Sequence, residues 1–102
     1  MALVKVCPLD QLPPGSVTEV MLADRAYAVM NVSGDIVCFN GTCPHAGGPL
    51  GQGTLQGEML VCPWHGWEFN GKTGVNDSDE DVVLEPFPVK VESGEILIEV
   101  PE

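Results

Sequence analysis

The residues of this 102-residue chain that could do chemistry are concentrated in two stretches, CPHAGGPLG at 43–51 and CPWHGWEFN at 62–70. Each opens on a cysteine followed by proline and reaches a histidine within three residues, as Cys43-x-His45 and Cys62-x-x-His65. The chain has no other histidine, and two of its four cysteines lie here. Thiolate and imidazole are ligands for zinc and iron rather than for hard cations. A zinc finger usually groups its cysteines on one short turn and its histidines on another. Here each stretch supplies one of each, with sixteen residues between His45 and Cys62. Two similar loops facing one another would bring the cysteines together on one side and the histidines on the other. That suits two metal atoms in different ligand fields, one iron on thiolates and one on imidazoles.

Composition limits what such a site can serve. Four Lys and Arg stand against fifteen Asp and Glu, a formal net charge of −11. Nucleic acid is excluded as a partner, because phosphate contacts need clustered cations. An anionic membrane surface is disfavoured for the same reason, and a positively charged protein partner is favoured by steering. No apolar run approaches the roughly 18 residues of a membrane helix. The start, MALVKVCPLDQL, lacks the apolar region and cleavage site of a secretory signal, so a cytoplasmic location is expected. In that reducing compartment cysteines beside histidines point to metal rather than to disulfides.

The elements that must position the two stretches read as short strands. LVKVC (3–7), SVTEVMLA (16–23), RAYAVMNV (25–32) and DIVCFN (35–40) alternate or are rich in Val, Ile, Tyr and Phe, with polar turns between them. Ser33-Gly34 is expected to make a two-residue hairpin turn, and FPVKVES (87–93) and EILIEVP (95–101) a second hairpin at Gly94. Val89 and Val91 are expected to face the core, with Ile96 and Ile98 or Leu97 according to register. LQGEMLVC (55–62) reads as one strand between the loops. Little helix is expected, and the strand spacing implies an all-β, antiparallel sandwich or small barrel. One domain over residues 1–102 follows from length, with residues 41–75, which hold nine of the twelve glycines, as a ligand-bearing insertion. NDSDED (76–81) is expected to be an acidic surface loop. Val82 and Pro88 stand where a calcium loop needs glycine and a bidentate glutamate. Cys7 and Cys38 are expected to be buried free thiols.

The paired motif resembles that of the Rieske-type iron–sulfur family: C-x-H, a spacer of about sixteen residues, then C-x-x-H. Glycines after the first pair and His65-Gly66-Trp67 after the second match as well. The resemblance implies a Rieske fold, an antiparallel β-sandwich base with an inserted cluster-binding subdomain. It implies one [2Fe–2S] cluster held by Cys43, His45, Cys62 and His65. It further implies an electron-transfer component, not itself an enzyme, that takes electrons from an NAD(P)H-oxidising flavin (FAD) ferredoxin reductase. Those electrons would pass to the terminal oxygenase of an aromatic-ring dioxygenase system. Docking would be transient, and a monomer is expected. A small subunit of an assimilatory nitrite reductase, a redox sensor or cluster-bearing regulator, and a zinc-stabilised binding module are the competing readings.

Charge arithmetic and departures from the family pattern set the expected potential. Two ferric ions, two sulfides and two thiolates sum to zero with neutral imidazoles, so histidine ligation raises the potential over four thiolates. Added electron density beside the imidazoles should couple reduction to proton uptake at alkaline pH. Respiratory members carry a further cysteine in each loop and link them by a disulfide. The matching positions here are Gly48 and Trp64. Those members also place serine and tyrosine donors near the second loop, where this chain has Trp67 and Phe69. A potential near about −150 mV rather than about +300 mV is expected. Trp64 and Trp67 are read as shielding, and Pro86-Phe87-Pro88 as a loop covering the cluster from a third side.

Overall fold

The computed structural model describes every residue except Met1, Ala23, His45, Ala46, His65 and Glu102. Strands β1 (Ala2–Pro8), β2 (Val17–Leu22), β3 (Arg25–Val32) and β4 (Asp35–Asn40) are followed by β5 (Thr54–Gln56), β6 (Met59–Val61) and β7 (Glu68–Asn70). The chain ends with β8 (Pro86–Phe87), β9 (Val89–Glu92) and β10 (Glu95–Val100). They form three antiparallel sheets, ordered β1-β10-β9, β2-β3-β4-β8 and β5-β6-β7. Among the described residues there is no α-helix, only one-turn 3-10 helices at Leu9–Gln11 and Leu50–Gln52. Among the described residues no helix is long and apolar enough to cross a membrane.

Local turn chemistry fixes the base hairpins. Ser33 and Gly34 have φ of 53° and 100°, and Ser93 and Gly94 have φ of 52° and 76°. Two successive positive-φ residues match the right-handed twist of the flanking strands. Register follows, with Val32 opposite Asp35 and Glu92 opposite Glu95.

The middle sheet is covered on both faces. Tyr27 and Val29 of β3 pack with Phe87, Ile96 and Ile98 in a core shared with the β1-β10-β9 sheet. Ala28, Met30 and Val32, on the opposite face, pack with Leu50, Leu60, Phe69 and the site cysteines in a second core. This is why RAYAVMNV reads as a nearly continuous apolar run: an antiparallel strand buried on both faces loses the usual alternation. The base is therefore a two-sheet sandwich, and the β5-β6-β7 sheet forms a third layer upon it.

The third layer is pinned at two places. At one, a Cβ on Gly51 would lie 2.5 Å from Glu19 Cβ, so only glycine lets the Leu50–Gln52 turn rest on β2. Gln52 Nε2 donates to Glu19 Oε1 at 3.2 Å beside it. At the other, a Cβ on Gly71 would lie 3.0 Å from Val32 Cγ2 of β3, and Lys72 Nζ bridges Glu58 (3.4 Å) to Asp35 (3.3 Å) of the base.

Three expectations need correction. The 55–62 stretch is a hairpin, not one strand, because Gly57 (φ 64°) turns the chain so that Gln56 faces Met59. The 87–93 stretch divides at Pro88: Phe87 pairs with Cys38 of β4, whereas Val89 pairs with Ile98 of β10. Proline has no N–H for a ladder and suits a strand that changes sheets. Val91 is 45% exposed, since β9 is an edge strand with no neighbour beyond it. Ile96 and Ile98 are the inward pair of β10. Strand β7 was not expected from the sequence.

Candidate metal centre

Cys43 leaves β4 through Gly41, whose N–H donates to Ala26 O at 2.8 Å. A Cβ on Gly41 would lie 2.8 Å from Ala26 C, so glycine lets this exit lie flush against β3. Cys62 follows β6 directly. Both side chains are 1% exposed, and both thiols are free.

The two loops close in the same way. Cys43 N–H donates to Gly48 O (2.9 Å), and Cys62 N–H donates to Trp67 O (2.7 Å), five residues on in each case. The residue four positions after each cysteine is a positive-φ glycine, Gly47 (76°) and Gly66 (71°). The shared Cys-Pro-x-x-Gly pattern in both stretches is the sequence signal of this closure. A left-handed residue at that point is what glycine supplies without strain.

The loops meet at Gly48, where a Cβ would lie 2.9 Å from Cys62 Sγ and 3.0 Å from Trp64 Cβ. Positions 48 and 64 are thus neighbours across the loops, as the family comparison of those positions required. Burial raises the Cys62 thiol above its ordinary range, and the hydrogen-bonded Cys43 thiol raises it further, against a lowering hydrogen bond from the Trp64 backbone. Two buried sulfurs in hydrogen-bond contact are placed to share one soft metal centre, and the backbone donor at Trp64 stabilises charge on Cys62. The donor set therefore fits a cluster anchored through two thiolates. His45 and His65 lie outside the described residues, so their part in the site is not described.

The remaining expected site residues distribute unevenly. Trp67 is partly buried against the core that holds both cysteines, 6.5 Å from Phe69 by ring centroids, and fits the shielding role. Trp64 is 49% exposed. Pro86-Phe87-Pro88 does not cover the site: Phe87 is packed edge-on against Tyr27 at 5.0 Å in the base core. Residues 76–78 and 83–85 lie beside the two loops instead. Asn76, Asp77 and Ser78 share a hollow with Gly66, Trp67 and Glu68, and Val83, Leu84 and Glu85 share one with Thr42 and Pro44. Asp77, Asp79, Glu80 and Asp81 are exposed, as a surface loop requires, but Asn76 is buried. Cys38 is buried and its thiol is pushed up to about 12 by that burial. Cys7 is only half-buried, against expectation, because it sits beyond a register irregularity near the end of β1.

Residues 2–88 match the Rieske [2Fe–2S] domain. The chain belongs to the Rieske [2Fe–2S] family. As a Rieske domain it takes one [2Fe–2S] cluster. Ferredoxin CarAc of Metapseudomonas resinovorans is 35% identical over 97 residues, covering 93% of this chain and 91% of that protein. A solved complex of reduced oxygenase and oxidized ferredoxin in carbazole 1,9a-dioxygenase contains a chain similar at TM-score 0.86. It is 34% identical, and the match covers 94% of this chain and 91% of that one. A nitrite reductase small subunit from Mycobacterium tuberculosis shares the fold at TM-score 0.84, with 23% identity and coverage of 99% and 97%.

Proposed function

We propose that Cys43, His45, Cys62 and His65 hold the Rieske cluster in the 41–75 subdomain, and that the chain carries single electrons to a terminal oxygenase. The observation that carries this reading is the buried Cys43–Cys62 pair in two identically closed loops. Bound there, a [2Fe–2S] cluster supplies reversible one-electron chemistry. The chain's own contribution is to hold the site still and dry. Pro44 and Pro63 restrict the residues after the two thiols. The paired N–H to carbonyl closures keep each loop's shape when charge changes, which keeps reorganisation small. Leu50, Leu60, Phe69 and Leu84 exclude water from the sulfur side.

Partner choice rests on the charge map and on the relatives. Acidic residues Glu68, Asp77, Asp79, Glu80, Asp81 and Glu85 lie on the segments flanking the loops. Lys5 and Lys90 lie on the far sheet, and Lys72 is tied to Asp35 and Glu58. Arg25, exposed beside Ala26 where Gly41 leads into the first loop, is the cation set against these acids. The site end thus presents a negative field that steers a positively charged partner. An oxygenase is the partner in the solved carbazole complex. An NAD(P)H-dependent flavin reductase as donor, a monomeric state and a cytoplasmic location complete the proposal. The nitrite-reductase reading is supported by likeness of fold alone.

Iron and acid-labile sulfide analysis of the purified protein tests the assignment. Equal iron and sulfide are expected, lost in Cys43→Ser, Cys62→Ser, His45→Ala and His65→Ala separately. A colourless protein containing zinc and no sulfide would end the reading in favour of a zinc-stabilised module.

A further inference from the structure

Asn76 is a buried polar residue, 5% exposed, that the site as described does not use. Its Nδ2 donates to Glu68 O (3.1 Å), and its Oδ1 accepts from the N–H groups of Ser78 (2.9 Å) and Asp79 (2.8 Å). Its own N–H donates to Val82 O at 2.9 Å, and Asp77 N–H donates to the same Glu68 carbonyl at 2.9 Å. Val82 N–H returns to Asp79 O, and Asp79 Oδ1 accepts from Asp81 N–H, both at 3.0 Å. One side chain thus organises the acidic turn and ties it to β7, the strand that follows the second loop. Beyond the turn, Val82 and Leu84 pack into the core of Cys43 and Cys62. The segment spans from the Gly66–Glu68 hollow to the Thr42–Pro44 hollow.

We propose that Asn76 is a positioning residue for the cluster: it latches residues 77–84 as the third wall of the site. The latch controls water access to the cluster and holds the acidic turn beside it. This rests on the Rieske reading above. Reduction adds negative charge to the site. Admitting water, and letting Asp77, Asp79 and Asp81 move away, both favour the reduced form. Opening the latch therefore raises the potential and exposes the cluster to attack.

The test compares Asn76→Ala with Asn31→Ala in the loaded protein. Asn31 is equally buried, and it joins Leu12 O to Gly34 N–H within the base, away from both loops. Both variants lower the melting temperature. Only Asn76→Ala is expected to raise the midpoint potential and to speed cluster loss to an iron chelator about tenfold, through local opening. A potential and chelation rate unchanged in Asn76→Ala, with the melting temperature lowered as in Asn31→Ala, would overturn the proposal. Should Asn76→Ala fail to accumulate, Asn76→Ser keeps a neutral side-chain oxygen that can accept from Ser78 or Asp79 N–H and loses the donor to Glu68 O without adding charge. A smaller shift in the same direction is expected of it, and no shift counts against the latch. Hydrogen exchange at Ser78, Asp79 and Val82 reads the latch without the cluster. A wild-type protein with protected amides but no iron or sulfide would thus fault the Rieske reading and not the latch.

Discussion

Gly48 lies against Cys62 so closely that a methyl group at position 48 would sit 2.9 Å from the Cys62 sulfur. It would also lie 3.0 Å from Trp64 Cβ, so no small rotation of one side chain relieves the overlap. As the loops lie in this chain, with Trp64 opposite, there is no room for a Cβ at residue 48.

Gly48→Ala is accordingly expected to fold its β base but to lose most of its cluster, read as iron and sulfide per chain. Gly47→Ala is the contrasting variant: its Cβ meets nothing within 4 Å, although φ is 76°. It should keep the cluster and lose about 1 kcal/mol of stability to backbone strain. Equal cluster content in the two variants would contradict the close-approach explanation.

The residues packed around the second loop bear on the potential. Phe69 is fully buried beside Trp67, and neither ring carries a hydroxyl to donate to a sulfur. A redox titration should place the midpoint near the low end of the Rieske range, about −150 mV. A value well above zero would mean that other donors supply the missing hydrogen bonds.

Acidic residues flanking the loops predict salt-sensitive encounter. Electron transfer to a terminal oxygenase or to another cationic acceptor should slow as ionic strength rises past about 0.15 M, where the Debye length is about 8 Å. The double variant Asp79→Asn, Asp81→Asn should transfer more slowly at low salt and show a shallower salt dependence. Rates insensitive to salt in the wild-type chain would remove the electrostatic part of the docking proposal.

Cys38 gives the base an alkaline limit. Its thiol is pushed up to about 12 by burial, from an ordinary value of 9.0. Above pH 9 the unfolded chain releases this proton and the folded chain keeps it, so stability falls as pH rises from 9 toward 12. The fall between pH 8 and pH 10 should be about 1.4 kcal/mol from this residue. Chemical denaturation of Cys38→Ala should show that much less pH dependence over the same interval.

Much of the site was legible because its signals are local. Cys43-Pro-x-x-Gly47 and Cys62-Pro-x-x-Gly66 encode ligand and turn within five residues, and the structure brings the two cysteines together. The Ser33-Gly34 and Ser93-Gly94 hairpins are equally local, since positive φ at two neighbouring residues decides the turn. His45 and His65 are legible as ligand types in the sequence, and their assignment awaits the iron and sulfide measurement.

What the sequence determined by itself was therefore the β class, the hairpins of the base and the placing of one cysteine with one histidine in each stretch. Tertiary structure alone decided which faces and segments meet. Val29 and Met30 look alike in the sequence, yet one enters the sandwich core and the other the layer beneath the cysteines. Pro86-Phe87-Pro88 looked like a cover for the site. Pairing of Phe87 with Cys38 took it into the base, and residues 76–78 and 83–85 lie beside the loops instead. The physical reason is the range of the interaction. Backbone dihedral preferences act over a few residues, whereas layer, edge and wall are set by burial among residues tens of positions apart.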